Sequence, residues 1–123
     1  MLYAILCYDD EAAVGAWSKE KDAEVMASLG KVTDGLARQG RLGPVARLLP
    51  TTTAVTLRKS REELVLDGPF AETKEQLLGF YVVDADNLDG AIEIARELAR
   101  ANPGLGAYEI RPVGLFKPGQ AGS

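Results

Sequence analysis

Leu78-Gly79-Phe80-Tyr81-Val82-Val83 is the stretch that decides the fold. Side chains on a strand point alternately to opposite faces, and here both sets, Leu78/Phe80/Val82 and Gly79/Tyr81/Val83, are apolar or small. The opening run behaves the same way. Leu2, Ala4, Leu6 and Tyr8 fall on one face, and Tyr3, Ile5 and Cys7 on the other. A strand that is apolar on both faces is one that is covered on both sides.

The segments around these two strands predict the remaining elements. Residues 9–17 form an acidic, small-residue connection, and a helix is expected from Lys19 to Gln39, with Ser18 as N-cap and Gly40 past its end. Val25, Met26, Leu29, Val32 and Leu36 recur at helical spacing. Val45–Leu49 and Thr53–Arg58 are expected as short extended pieces split by Pro50, with Arg61–Leu66 paired back as a hairpin across Arg58-Lys59-Ser60-Arg61. Asp86 or Asn87 caps a second helix over Leu88–Ala101, whose expected stripe is Leu88, Ala91, Ile92, Ala95, Leu98 and Ala99. Asn102-Pro103-Gly104 stops it, and Ala107–Val113 is the last strand.

That order predicts an α+β fold, a ferredoxin-like split βαβ sandwich with an extra hairpin. One domain is expected over residues 1–116, with a Gly/Pro-rich flexible tail over 117–123. Two helices cover only one face of such a sheet, yet the first and fourth strands are apolar on both. An uncovered apolar face of that size marks an interface, so a homodimer packed through the open sheet face is expected.

At 123 residues the chain suits a single domain. Its apolar share of 46% and charged share of 26% are those of a soluble globular protein. No apolar run reaches membrane-spanning length, and Met1–Cys7 lacks a basic leader and a small-residue cleavage site, so it reads as a strand. Cys7 is the only cysteine, which precludes an intramolecular disulfide and fits a cytoplasmic location. A net charge of −4 with scattered Lys and Arg argues against nucleic acid as a partner. Histidine is absent, which excludes imidazole chemistry and histidine metal ligands.

Between the hairpin and the fourth strand lies Asp67-Gly68-Pro69-Phe70-Ala71-Glu72-Thr73-Lys74-Glu75-Gln76-Leu77. This run resembles the signature of the DGPF branch of the YCII-related proteins. The likeness extends to Tyr8-Asp9-Asp10-Glu11, to Asp84-Ala85-Asp86-Asn87-Leu88 and to Glu109-Ile110-Arg111-Pro112-Val113. The resemblance implies a dimeric α/β-barrel type of fold, mostly uncharacterised relatives, and genes often neighbouring extracytoplasmic-function sigma factors. YCII proteins proper carry a His–Asp pair, which a chain without histidine does not reproduce.

Two readings of the loop stand side by side. In the structural one, Asp67 caps local backbone N–H groups, Gly68 takes a conformation other residues resist, Pro69 stiffens the exit and Phe70 plugs a core gap. In the functional one, Asp67 is aimed into a cleft as a general acid or base, with Tyr8, Phe70, Glu72, Lys74, Tyr81 and Arg111 as ligand-binding residues. Tyr8 and Tyr81 are expected to face one space, and Glu109 and Arg111 to pair on one face of the last strand. Asp9-Asp10-Glu11 lacks the spacing of a calcium loop and no metal or other cofactor is expected. The leading expectation is a small-molecule-binding protein with weak lyase or isomerase chemistry. The alternative is a non-enzymatic regulatory or interaction protein tied to sigma-factor signalling.

Overall fold

The computed structural model of the chain describes residues 1–122, so Ser123, the end of the expected tail, lies outside the described residues. The elements run β1 (Leu2–Asp10), α1 (Glu11–Gly15), α2 (Lys19–Arg38), β2 (Leu42–Arg47), a 3-10 turn (Thr51–Thr53), β3 (Val55–Arg58), β4 (Leu64–Asp67), β5 (Glu75–Asp84), α3 (Leu88–Ala101) and β6 (Ala107–Pro112). Among the described residues no helix is long and apolar enough to cross a membrane.

Four strands form one antiparallel sheet in the order β2-β5-β1-β6. The crossover through α2 links β1 to β2 with β5 between them, and that through α3 links β5 to β6 with β1 between them. Each crossover thus skips one strand, an order compatible with a ferredoxin-like fold. Tyr3 and Ile5 stand opposite Val83 and Tyr81 in the β1–β5 ladder. These residues pack against Val25, Leu29 and Leu36 of α2 and Ala91, Ile94 and Leu98 of α3. Both helices therefore cover the same face.

The second face carries Leu2, Ala4, Leu6 and Phe80, all half-buried, with Val82 opposite Ala4 and Phe80 opposite Leu6. No helix layer lies on it. The expectation of a one-sided cover agrees with this arrangement.

Helix boundaries follow local chemistry. Ser18 Oγ accepts from Lys21 N at 3.0 Å and Asn87 Oδ1 from Gly90 N at 2.9 Å, each satisfying an orphan donor of the first turn. Gly40 closes α2 at φ +68°. Helix α1 falls in the segment expected to be a plain connection. Its cap is Asp10, whose Oδ1 accepts from Ala12 N and Ala13 N at 3.0 and 3.3 Å.

Other expectations require correction. Thr53, the expected start of a strand, instead ends the 3-10 turn Thr51–Thr53. Strands β3 and β4 pair only with each other, and their apolar residues face water: Val55 is 60% exposed and Val65 67%. Ala54, just before β3, and Thr56 within it are half-buried, while Val55 and Leu57 are exposed. On the helices, Met26, Leu88 and Ala99 are exposed, while Ile94 is buried. The seam of α3 is the i, i+3, i+4, i+7 set Ala91, Ile94, Ala95 and Leu98, and Leu88, Ile92 and Ala99 flank it.

Gly79 sits where β2 crosses β5. A Cβ there would lie 2.5 Å from the carbonyl oxygen of Ala46, which is backbone and cannot swing aside. Gly30, inside α2, has nothing within 4 Å of such a Cβ. Gly79→Ala should cost about 1–3 kcal/mol of stability by overpacking, while Gly30→Ala should gain roughly 0.5–1 kcal/mol by its helix preference. Urea midpoints of the two variants check this, and equal shifts would contradict the close approach at Gly79.

Candidate functional site

Two regions collect chemistry: the loop after β4 and a hollow between helices and sheet. In the loop, the backbone of Gly68 does the holding. Its N–H donates to the Ala54 carbonyl at 2.8 Å and its carbonyl accepts from Thr56 Oγ1 at 2.8 Å, closing the base of the hairpin. Gly68 has φ +108°, which favours glycine. Asp67 is opposite Val55 at the end of β4, its side chain exposed and without a hydrogen bond or ion pair among the described residues.

Further along, Gln76 Nε2 donates to the carbonyls of Ala71 and Thr73 at 2.8 and 3.0 Å. Phe70 plugs no core gap: it is 73% exposed, with the Arg58 guanidinium 4.8 Å from its ring centre. Glu72 is exposed beside Gly68. Lys74 Nζ reaches Asp10 Oδ2 at 3.9 Å from an almost fully exposed position, a weak tie.

The acidic run is absorbed by structure. Asp9 Oδ1 accepts from Asp10 N at 2.7 Å, Asp10 caps α1, and Glu11 accepts from Thr51 N at 2.8 Å and from Thr51 Oγ1 at 2.5 Å. Three carboxylates thus join the end of β1 to α1 and to the turn before β3. Among the described residues no group of three or more His, Cys, Asp or Glu could hold a metal ion.

The hollow lies between α2, α3 and the sheet, with a volume of about 380 Å³. It opens where large residues give way to small ones. Ile5, Val83 and Leu98 fill one end of the helix–sheet interface completely, whereas Cys7, Gly79, Ala95 and Ala99 line the other. Trp17, Val25 and Leu29 supply apolar wall, and Tyr81, Tyr108 and Asn102 supply polar groups. Asn102 Nδ2 donates to Tyr108 Oη at 3.1 Å, and Asn102 Oδ1 is buried without a hydrogen-bond partner.

Burial pushes the Cys7 thiol up to about 12 and raises the Tyr81 phenol as well, the latter also through the neighbouring Cys7 and Tyr108. Tyr108 is raised by burial too, against the opposing pull of its Asn102 hydrogen bond. All three stay protonated at neutral pH. They can donate hydrogen bonds there, but Cys7 is no thiolate nucleophile.

Of the residues singled out in the sequence, Tyr8 and Tyr81 contribute to the cavity wall; Asp67, Phe70, Glu72, Lys74 and Arg111 do not. Tyr8 and Tyr81 thus face one space. Tyr8 Oη donates to Glu109 Oε1 at 3.4 Å, and Glu109 alternates with the core-packed Tyr108 and Ile110. Glu109 therefore serves Tyr8, and no Glu109–Arg111 ion pair forms among the described residues; Arg111 is exposed opposite Ala4. Trp17, Asn102 and Tyr108 were missed. Each sits in a separate segment, and only the unusual Trp17 carried a signal.

The chain matches the YCII-related domain over residues 1–117. It belongs to the YCII-related family. A similar member is an uncharacterised protein of Rhizobium meliloti (strain 1021), 59% identical over 121 residues that make up 98% of each chain. This YCII-related chain builds its cavity without histidine.

In this family member the loop and the cavity yield separate tests. Asp67→Asn should change stability by no more than about 0.5 kcal/mol, as at other exposed sites. Gly68→Val should cost roughly 1–3 kcal/mol, because a β-branched residue is strained at that φ. Chemical denaturation of both variants decides it, and a strongly destabilised Asp67→Asn would contradict the exposed placement.

The cavity predicts a pH effect. The unfolded Cys7 thiol titrates near 9.0 and the folded one near about 12, so above the lower value the unfolded state releases its proton first. Stability is full below pH 9 and falls as pH rises toward 12. Cys7→Ala should flatten the early part of that fall, as read from urea midpoints across pH. An unchanged profile would refute the buried neutral thiol.

Proposed function

We propose that this protein binds a small molecule in the cavity between its helices and its sheet, and that it does so as a cytoplasmic homodimer of the DGPF type. The observation that carries the reading is the cavity itself: about 380 Å³, mainly apolar walls, and a few inward polar groups from Tyr81, Tyr108 and Asn102. Ligand sites are ordinarily concave, apolar and furnished with a small number of polar groups of this kind. The half-buried second face of the sheet and the exposed hairpin support the dimer. An isolated two-stranded hairpin is marginally stable in water, so a second copy over β3 and β4 would stabilise it.

A catalytic form of the reading gives proton transfer to Asp67, with Lys74 and Arg111 on an anionic group and Phe70 and Glu72 shaping the loop. None of these lines the cavity of one protomer, so this form requires the second copy to enclose the loop. The exposed apolar residues of the hairpin, Val55, Leu57, Leu64, Val65 and Leu66, favour the other reading, a regulatory or interaction protein tied to sigma-factor signalling.

The test combines two measurements on the full chain. Light scattering should return twice the 13.1 kDa of one chain. A thermal-shift library of small metabolites should yield at least one saturable stabiliser, worth about 2.7 kcal/mol at a hundredfold excess over its Kd. A monomer at micromolar concentration refutes the dimer, and a library without a stabiliser tells against the binding reading.

A further inference from the structure

The charges around the cavity are arranged unevenly. Its ionisable wall groups besides the phenols and the thiol are Asp9, Asp22, Arg47 and Arg96. Arg47 holds Asp22 through two hydrogen bonds, at 2.9 and 3.3 Å, joining β2 to α2. Arg96 is paired with Glu93 on its own helix. Both arginines of the wall are therefore engaged by carboxylates, in half-exposed pairs. Among the described residues Asp9 is in no ion pair, and its Oδ1 accepts from Asp10 N. Deeper in, the polar groups are uncharged: two phenols, one amide and a thiol.

An anion entering this space would lose its water with no free cation to replace it, and it would face the Asp9 carboxylate. Removing an ion from water without a partner is far more costly than removing a neutral polar group. A cation would meet the Asp9 carboxylate and the ring of Trp17, over which the Lys21 ammonium already lies 5.4 Å from the ring centre. We infer that the cavity selects uncharged molecules of modest polarity over anions of the same size. This rests on the cavity-binding reading above and adds the ligand class to it.

Tyr81 and Tyr108 supply hydroxyls and Asn102 an amide for a ligand's polar groups. The Asn102 oxygen is buried and unpartnered, an unfavourable condition that a ligand N–H or O–H could relieve with a small side-chain adjustment. The selectivity comes from what surrounds these groups.

Trp17 provides the readout. It is the chain's single tryptophan and lines the cavity. The probes are N-phenylnaphthylamine and its sulfonated anion anilinonaphthalene sulfonate, titrated against the full-length protein with Trp17 emission followed. The neutral probe should quench Trp17 saturably, and the anion should bind about tenfold or more weakly, a difference of roughly 1.4 kcal/mol.

Ala99→Phe, at an exposed helix position on the cavity wall, should abolish quenching by the neutral probe. Met26→Phe, on α2, serves the same purpose should the first variant fold poorly. Quenching that survives a folded blocking variant places the probe elsewhere and overturns the inference. Equal quenching by the neutral and the anionic probe overturns the ligand class while sparing the cavity-binding reading. No quenching by any probe removes both.

Discussion

The ladder between β1 and β5 is the constraint on which the other arrangements depend. It runs from Leu2 opposite Asp84 to Asp10 opposite Glu75, and its register shifts once, between Cys7 and Tyr8. The register places Tyr3, Ile5 and Cys7 beside Val83, Tyr81 and Gly79 on the face that receives both helices. Up to Ile5 the side chains are large and the interface is closed. From Cys7 onward the facing residues are small, and α3 contributes Ala95 and Ala99. Close packing at one end and deficient volume at the other follow from that order of side-chain sizes. The ladder opens the cavity, and Trp17, Asn102, Gly104 and Gly106 of the connecting segments complete its wall.

Gly79 links the ladder to the sheet edge. Its lack of a Cβ lets the backbone of Ala46 approach, so β2 can continue along β5 past the register irregularity. Arg47 then stands over α2 and meets Asp22. A close backbone approach in the sheet thereby sets an ion pair at the cavity wall. At the far end of the strand, the Met1 ammonium donates to Asp84 at 2.9 Å and holds that carboxyl below its ordinary value.

The polar residues that stand out in the sequence are spent on joining elements. Asp9, Asp10 and Glu11 gather β1, α1 and the Thr51 turn, and Gly68 closes the hairpin through its backbone. Local hydrogen bonds of this type compete for short polar side chains near strand ends and turns. The charged groups of the cavity wall are Asp9 and the paired Asp22, Arg47 and Arg96, and its other polar groups include the uncharged Tyr81, Tyr108 and Asn102.

Much of the fold was legible because its determinants are local. Ser18, Asn87, Gly40 and Asn102-Pro103-Gly104 mark helix ends through contacts with residues a few positions away. Alternation along residues 2–8 and 78–83 reports a strand apolar on both faces wherever it is placed. Counting two helices against two such strands was enough to expect an uncovered face. The phase of β3 was not legible, since whether Val55 or Thr56 faces water depends on what the hairpin lies against. The cavity was not legible either. Cys7, Trp17, Tyr81, Asn102 and Tyr108 come from separate segments, and no spacing along the chain records that strand register and helix seam bring them together. Likewise, Asp67 looks the same in sequence whether buried or exposed; only the hairpin's separation from the main sheet leaves it in water. The sequence by itself determined the elements, because hydrogen-bond closure and periodicity act over a few residues. Tertiary structure alone decided the cavity and the make-up of its wall, because volume and desolvation are set by neighbours far apart along the chain.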